Sequence, residues 1–96
     1  MYAAVTTARI DPARLADYLA LSDRILAHIE DFPGVQHVYD LTDRASGQVM
    51  SIVLYATAAD AARTATSGDY QRILEQVGPM LLGAPERTVY EVTAHA

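Results

Sequence analysis

The segment PGVQHVYDLTDRASGQVMSIVLYAT, residues Pro33–Thr57, contains the pattern that decides the fold. Pro33 and Gly34 end the preceding element, and an alternating stretch follows in which one set of side chains is Val35, His37, Tyr39 and Leu41 and the other is Gln36, Val38, Asp40 and Thr42. The polar residues 43–47 include a glycine and suit a short connection. Residues 49–56 are almost wholly apolar. The segment therefore predicts a β-hairpin.

The second strand of this hairpin is apolar on both of its faces. Its odd-numbered large side chains and its even-numbered ones point to opposite sides: Val49, Val53 and Tyr55 against Met50, Ile52 and Leu54. A strand with one wet face alternates between apolar and polar residues, and this one does not. Because each large apolar side chain left in water forfeits about 1.5–3 kcal/mol, both faces are expected to be covered.

The remaining elements follow from capping residues and helical spacing. In chain order they are a strand over 2–10, a helix from Asp11-Pro12 to near Asp31, an alanine-rich helix from Thr57 to about Thr66, a helical piece over 70–77 capped by 67–69, and a strand over 87–93. The order β-α-β-β-α-β predicts an α+β, ferredoxin-like domain, with helices on one face of a four-stranded antiparallel sheet. Two helices cover only one face, so we expect a second copy to cover the other, sheet to sheet, in a homodimer.

Composition narrows the possible functions. We expect residues 1–96 to form a single domain, and the net charge of −5 argues against a nucleic-acid surface. No apolar window is long enough for a membrane span, and the N-terminus lacks the features of a signal peptide, so we expect a cytoplasmic protein. The chain has no Cys, Lys, Trp or Asn. No grouping of its three His with carboxylates has a convincing metal-ligand spacing, so no metal site is expected.

The whole chain resembles the dimeric α+β barrel superfamily, in particular the antibiotic-biosynthesis monooxygenase-like domains. The resemblance rests on the PGV entry to the second strand, the D-R-x-S-G hairpin, the apolar strand ending at Tyr55 and the closing segment GAPERTVYEV. It implies two sheets packed into a barrel, with a pocket between helices and sheet in each subunit. Haem-degrading relatives use an Asn, a Trp and a His, which this chain cannot assemble. Quinone-forming relatives oxidise aromatic compounds without a cofactor. The resemblance therefore implies that this protein, too, uses no cofactor.

Three residues are candidates for the chemistry. His37 and Tyr39 share a face of their strand and would supply a base and a hydrogen-bond donor, although such residues more often form an ordinary interface or edge pair. Tyr55 ends the buried strand and would hydrogen-bond a ligand oxygen, or else serve only as a buried tyrosine. The candidates for pocket lining are Tyr18, Tyr70, Arg72, Met80 and Leu81, each of which also suits simple core or surface packing.

The resulting hypothesis is a cofactor-independent monooxygenase acting on a small apolar, aromatic molecule, based on the resemblance and on an expected apolar pocket. The alternative is a non-catalytic dimeric ligand-binding or stress-response domain of the same fold. A pocket with converging polar groups would favour the enzyme, and one lined only by aliphatic groups would favour the alternative. A third possibility, haem binding, requires a His inside the pocket.

Overall fold

Four antiparallel strands form the sheet in the computed structural model of the chain, which describes residues 1–29 and 32–96. Their order across the sheet is β2-β3-β1-β4. The strands are β1 (Tyr2–Arg9), β2 (Val35–Asp43), β3 (Gln48–Tyr55) and β4 (Glu86–Glu91). β1 and β3 are therefore central, and β2 and β4 are the edges. This arrangement confirms the predicted ferredoxin-like fold.

The helices are α1 (Leu15–Ile29), α2 (Ala58–Ala65) and α3 (Gly68–Val77). Short 3₁₀ helices, Pro12–Arg14 and Gly78–Met80, precede α1 and follow α3. The second helical region is thus divided in two, as the sequence predicts. Within the described residues, none of these helices is both long and apolar enough to span a bilayer.

Polar side chains start the helical segments where the sequence predicts them. Asp11 accepts a hydrogen bond from the Ala13 amide at 3.0 Å, and Thr57 accepts one from the Asp60 amide at 3.1 Å. Ser67 does the same for the amide of Tyr70 at 3.1 Å. These bonds satisfy amides that have no partner within the helix, so the three capping predictions are confirmed. The predicted end of α1 near Asp31 lies outside the described residues.

The sheet has a helix-covered face and an open face, which is the side turned away from the helices. The strand register places these three rows of side chains across the open face: His37–Leu54–Ala3–Tyr90, Tyr39–Ile52–Val5–Thr88 and Leu41–Met50–Thr7–Glu86. Residues directly opposite one another in a sheet point to the same side. β3 therefore divides its apolar side chains between the two faces, as predicted.

A β-bulge in β2 corrects one detail of the predicted alternation. Val35 pairs with Tyr55, whereas His37 pairs with Leu54, so two steps along β2 match one step along β3. Val35 consequently lies on the helix-covered face, packed against the core, rather than on the face of His37. The alternation predicted for Val35 is wrong, because an inserted residue resets the parity of the strand.

The core is small and lies at one end of the sheet. Ala4, Val53, Tyr55 and Ala61 form its buried cluster. Two of these four are alanines, so the layer between helices and sheet is filled only in part. The unfilled remainder is the space in which a site can form.

Candidate active site

A cavity of about 120 Å³ lies between the helices and the helix-covered face of the sheet. Its floor is made of the small residues Ala4, Thr6 and Ala8 of β1 and Ser51 of β3. Larger side chains at these central positions would fill the space. Cavities of about 150 Å³ hold a benzene-sized ring, so this somewhat smaller one matches at most a single aromatic ring.

The walls of the cavity are mainly apolar. α1 and α3 supply branched aliphatic side chains to it: Ile25, Leu26, Ile29, Ile73, Leu74 and Val77. The helical spacing of these residues turns one stripe of each helix toward the sheet. Such a lining favours an apolar occupant over water.

One polar row crosses the apolar floor. Asp40 pairs with Ser51, Ser51 with Thr6, and Thr6 with Arg87, and all four residues line the cavity. The next row toward the core consists of Val38, Val53, Ala4 and Val89. Neighbouring strands lie about 4.8 Å apart, so the backbones at the two ends of the polar row are about 14 Å apart. A carboxylate thus faces a guanidinium across two hydroxyls on one line.

The acidic end of the row is Asp40 on the edge strand β2, and its carboxylate is hydrogen-bonded to helix α1. The Ser22 hydroxyl of α1 donates to the carboxylate of Asp40. Tyr18, one turn earlier on α1, also lines the cavity. Burial raises the pKa of the Tyr18 phenol to about 12, and the negative charge of Asp40 adds to this effect. Tyr18 is therefore a neutral hydrogen-bond donor throughout the physiological range.

The basic end of the row is held by helices α2 and α3. Arg87 donates a hydrogen bond through Nη2 to the carbonyl oxygen of Ala61 at 2.9 Å. Its guanidinium carbon lies 5.6 Å from the ring centroid of Tyr70, within the range of a cation–π interaction. These two contacts fix the position of the guanidinium, which has five N–H groups, so donors remain for an anionic ligand.

The residues that the sequence singles out lie in four different places in the structure. Tyr18, Tyr55, Tyr70 and Leu81 line the cavity. Arg72 lines a second cleft, between α1 and α3. Met80 is in neither lining and closes the 3₁₀ helix Gly78–Met80, where its carbonyl accepts a hydrogen bond from the Asp11 amide.

His37 and Tyr39 lie on the open face and not in the cavity of their own chain. Their ring centroids are 6.3 Å apart in a stacked arrangement, and Tyr39 is 52% exposed. The sheet separates both side chains from Tyr55, which is on the other side. Their catalytic role stays a prediction. The polar side chains that line the cavity are other residues, among them Tyr18, Asp40 and Arg87.

Sequence reasoning missed Asp40, Ser22 and Arg87 as site residues. The available signal was a polar residue at a position where the pattern is otherwise apolar. Ser22 lies on the apolar stripe of α1, and Asp40 lies on the same face of β2 as Val38. Ser22 is buried, and a buried polar group has a partner, which here is the carboxylate of Asp40.

Neither a metal nor a histidine-held haem fits this cavity. In residues 1–29 and 32–96, no three His, Cys, Asp or Glu side chains are grouped so that they could hold a metal ion. All three histidines of the chain lie in this described part, and none lines the cavity. The third possibility, haem bound through a His inside the pocket, therefore lacks its ligand.

Comparison with known proteins points to one fold. No protein-family model matches the sequence, and no curated protein matches it. Solved structures do. A protein from Nitrosomonas europaea, provisionally named an antibiotic biosynthesis monooxygenase, superposes with a TM-score of 0.85 at 15% identity, over 98% of this chain and 100% of the other.

Two further structures with the same provisional name agree. The one from Deinococcus radiodurans has a TM-score of 0.85 at 11% identity, over 100% of this chain and 96% of the other. The one from Bordetella bronchiseptica has a TM-score of 0.84 at 17% identity, over 97% of each chain. The chain has the fold of the antibiotic biosynthesis monooxygenase-like domains. At these identities, the likeness to the antibiotic biosynthesis monooxygenase-like domains shows the fold alone, and it confirms the resemblance seen in the sequence.

Proposed function

We propose that the protein is a cofactor-independent monooxygenase that binds a small aromatic molecule in the cavity and oxidises an acidic carbon of it with O₂. The polar row from Asp40 to Arg87 across an apolar floor is the observation that carries this proposal. An apolar cavity without such a row would only sequester a ligand. The names of the solved structures of this fold support the same class of reaction.

Each end of the row has a distinct role. The carboxylate of Asp40 accepts the proton of the acidic C–H group. Tyr18, which keeps its own proton at neutral pH, donates a hydrogen bond to the oxygen that gains negative charge. The guanidinium of Arg87 attracts that charge from the other end of the row. The apolar walls keep water away from the carbanion.

The reaction balances with O₂ as the oxidant. The deprotonated carbon gives its electrons to O₂, a C–O bond forms, and the O–O bond then breaks. One oxygen atom becomes the new carbonyl, and the other leaves as water with the two hydrogen atoms that the carbon loses. A methylene group and O₂ thus give a carbonyl and water, without an external reductant.

We further infer that two copies of the chain pack open face to open face. The centre of this face is apolar, with Val5, Ile52 and Leu54 on the central strands β1 and β3 and with Tyr39 and Leu41 on β2. Polar residues Arg9, Asp43 and Glu86 lie at its margin. An apolar centre with a polar rim is the usual composition of a protein–protein interface. In such a dimer, His37 and Tyr39 lie at the interface.

Oxygen uptake tests the proposed reaction. Metal-free protein is mixed with a single-ring compound that carries an acidic methylene, such as benzoylacetone, and O₂ consumption is compared with that of the compound alone. Asp40→Asn keeps the size of the side chain but removes the base, and we expect it to lower the rate at least 100-fold. Asp23→Asn, an exposed residue of α1 outside the cavity, is the matched control and should leave the rate unchanged.

The outcomes separate the hypotheses. Equal rates in wild type and in folded Asp40→Asn would contradict the role of Asp40, and a loss in His37→Ala instead would favour the histidine. Binding of the aromatic compound without any O₂ uptake would overturn the proposed reaction and support the non-catalytic binding domain. Thermal unfolding of each variant shows whether a loss of rate reflects a loss of fold.

A further inference from the structure

A second cleft lies between α1 and α3, outside the cavity. Its volume is about 670 Å³. α1 contributes Leu21, Arg24, Ile25 and His28, and α3 contributes Asp69, Arg72, Ile73 and Gln76. The residues on each helix recur at spacings of three and four, so each helix presents one continuous face to the cleft. The proposed reaction makes no use of this cleft.

The cleft and the cavity have a common wall. Ile25, Ile29 and Ile73 line both spaces. All three are partly buried aliphatic residues, two on α1 and one on α3. The two spaces are therefore adjacent, and the side chains shared between them are aliphatic.

The cleft also has a distinctive charge. Among the residues that the structure describes, its lining contains the charged or titratable side chains Arg24, His28, Asp69 and Arg72. Arg72 is paired with Asp69, but the side chain of Arg72 is 71% exposed, so its guanidinium remains accessible. In a chain with a net charge of −5, two arginine side chains in one cleft supply positive charge and hydrogen-bond donors suited to an anion.

We propose that this cleft binds the negatively charged end of an organic molecule whose aromatic ring occupies the cavity. The cavity alone holds one ring, and a longer molecule extends past Ile25 and Ile73 toward Arg24 and Arg72. The ligand class is an aromatic ring that carries a short alkyl chain ending in a carboxylate. This inference deepens the proposed function, because it rests on the cavity as the site of the ring.

Equilibrium binding of a series of ω-phenylalkanoates tests the inference without turnover. Two to six methylene groups separate ring and carboxylate in the series, and each acid is compared with its neutral amide. We expect the best-fitting carboxylate to bind about three- to tenfold more tightly than its amide, since ion pairs to exposed arginines contribute modestly. Phenol, which fits in the cavity, reports on the ring site alone.

Two substitutions locate the charge. Arg24→Gln and Arg72→Gln should each reduce the preference for carboxylate over amide and leave phenol binding unchanged. Arg14→Gln is the matched control, because Arg14 also pairs with an aspartate three residues away, Asp17 at 3.6 Å, but lies outside the cleft. The control should retain the full preference.

The result that overturns the inference is a carboxylate preference that is absent, or that is lost equally in Arg14→Gln. Phenol binding distinguishes the two levels of the proposal. If phenol fails to bind wild-type protein, then the cavity is not a ring site, and the proposed function fails with it. If phenol binds and the carboxylate gives no advantage, only the outer cleft is wrong.

Discussion

Tyr18 shows how one neighbour sets the chemistry of a side chain. Burial in the cavity wall, and then the charge of Asp40, raise the pKa of its phenol to about 12. The same carboxylate accepts a hydrogen bond from Ser22 on the same helix. The two α1 residues thus meet the same carboxylate differently: Ser22 donates a hydrogen bond to it, whereas Tyr18 keeps its proton mainly because it is buried and secondarily because of the charge of Asp40.

The raised pKa of Tyr18 predicts how stability changes with alkaline pH. Because the folded-state pKa of about 12 is above the ordinary value of 10.0, the folded protein holds this proton more tightly than the unfolded chain. The contribution is fully present below pH 10 and is lost as pH rises toward 12. Urea unfolding between pH 9 and 11.5 should therefore show a smaller loss of stability in Tyr18→Phe than in wild type.

Tyr2→Phe is the control for that measurement, since Tyr2 lies at the start of β1, outside both the cavity lining and the open face. Its stability should fall with pH as steeply as that of wild type. Parallel curves for all three proteins would contradict the link between Tyr18 and the alkaline loss.

Single residues were the hardest part of the site to predict from sequence. Tyr18 and Tyr55 were singled out because aromatic residues on apolar stripes stand out, and both line the cavity. The floor residues Ala4, Thr6 and Ala8 carry no such signal, because a cavity is made by what their side chains lack. Their importance emerges only when the register sets them opposite Val53, Ser51 and Val49, respectively.

The turn between β2 and β3 controls the geometry of the sheet. Hydrogen bonds from the Ala45 amide and from Ser46 hold the pKa of Asp43 below its usual value. Gly47 has a φ of +77°, and a Cβ placed on it would lie 2.5 Å from the carbonyl oxygen of Ile10. The Ile10 amide donates to the Gly47 carbonyl at 2.8 Å, which ties the turn to the end of β1.

Gly47→Ala should consequently destabilise the protein by about 2–3 kcal/mol, through positive-φ strain and contact with backbone that cannot move aside. Urea unfolding measures the change. Gly68→Ala is the comparison, because Gly68 lies at the start of α3 with nothing within 4 Å of its Cβ position. That variant should be neutral or slightly more stable, and equal losses in the two proteins would refute the explanation.

Among the elements, local signals were enough for helix starts and for the hairpin. Asp11, Thr57 and Ser67 cap because their side chains bond to amides two or three residues away, which is a property of the local sequence. The bulge at Gln36 is different, because it depends on contacts that β2 makes with residues distant in the sequence. Val35 must reach the core beside Tyr55 while the rest of β2 follows the register set by the turn.

At the scale of the whole molecule, the main feature is the exposed apolar surface on the open face of the sheet. Tyr39, Leu41 and Tyr90 are each about half exposed on it. Helices on one side and an apolar sheet on the other leave the chain with a large patch that favours self-association. The proposed dimer covers this patch and leaves the cavity, on the other side of the sheet, free for a ligand.

Sedimentation at micromolar concentration should give a dimer for wild type and a monomer for Leu41→Glu. The charge would be buried without a partner at the interface. Leu82→Glu is the matched control, since Leu82 is 54% exposed against 49% for Leu41 but lies outside the sheet. A wild-type monomer, or a monomer in the control variant, would contradict the proposed interface.

The register of the edge strand β2 has a consequence for how such sites diversify. β2 pairs with β3 alone, and its position is set by the bulge and by the turn at residues 43–47. A slip of one residue would exchange its faces, which would bring His37 and Tyr39 into the cavity and turn Asp40 outward. One segment thus encodes two alternative sets of functional groups, an imidazole with a phenol or a carboxylate. A change in the length of the turn, with the sequence of β2 unchanged, would be enough to exchange one set of functional groups for the other.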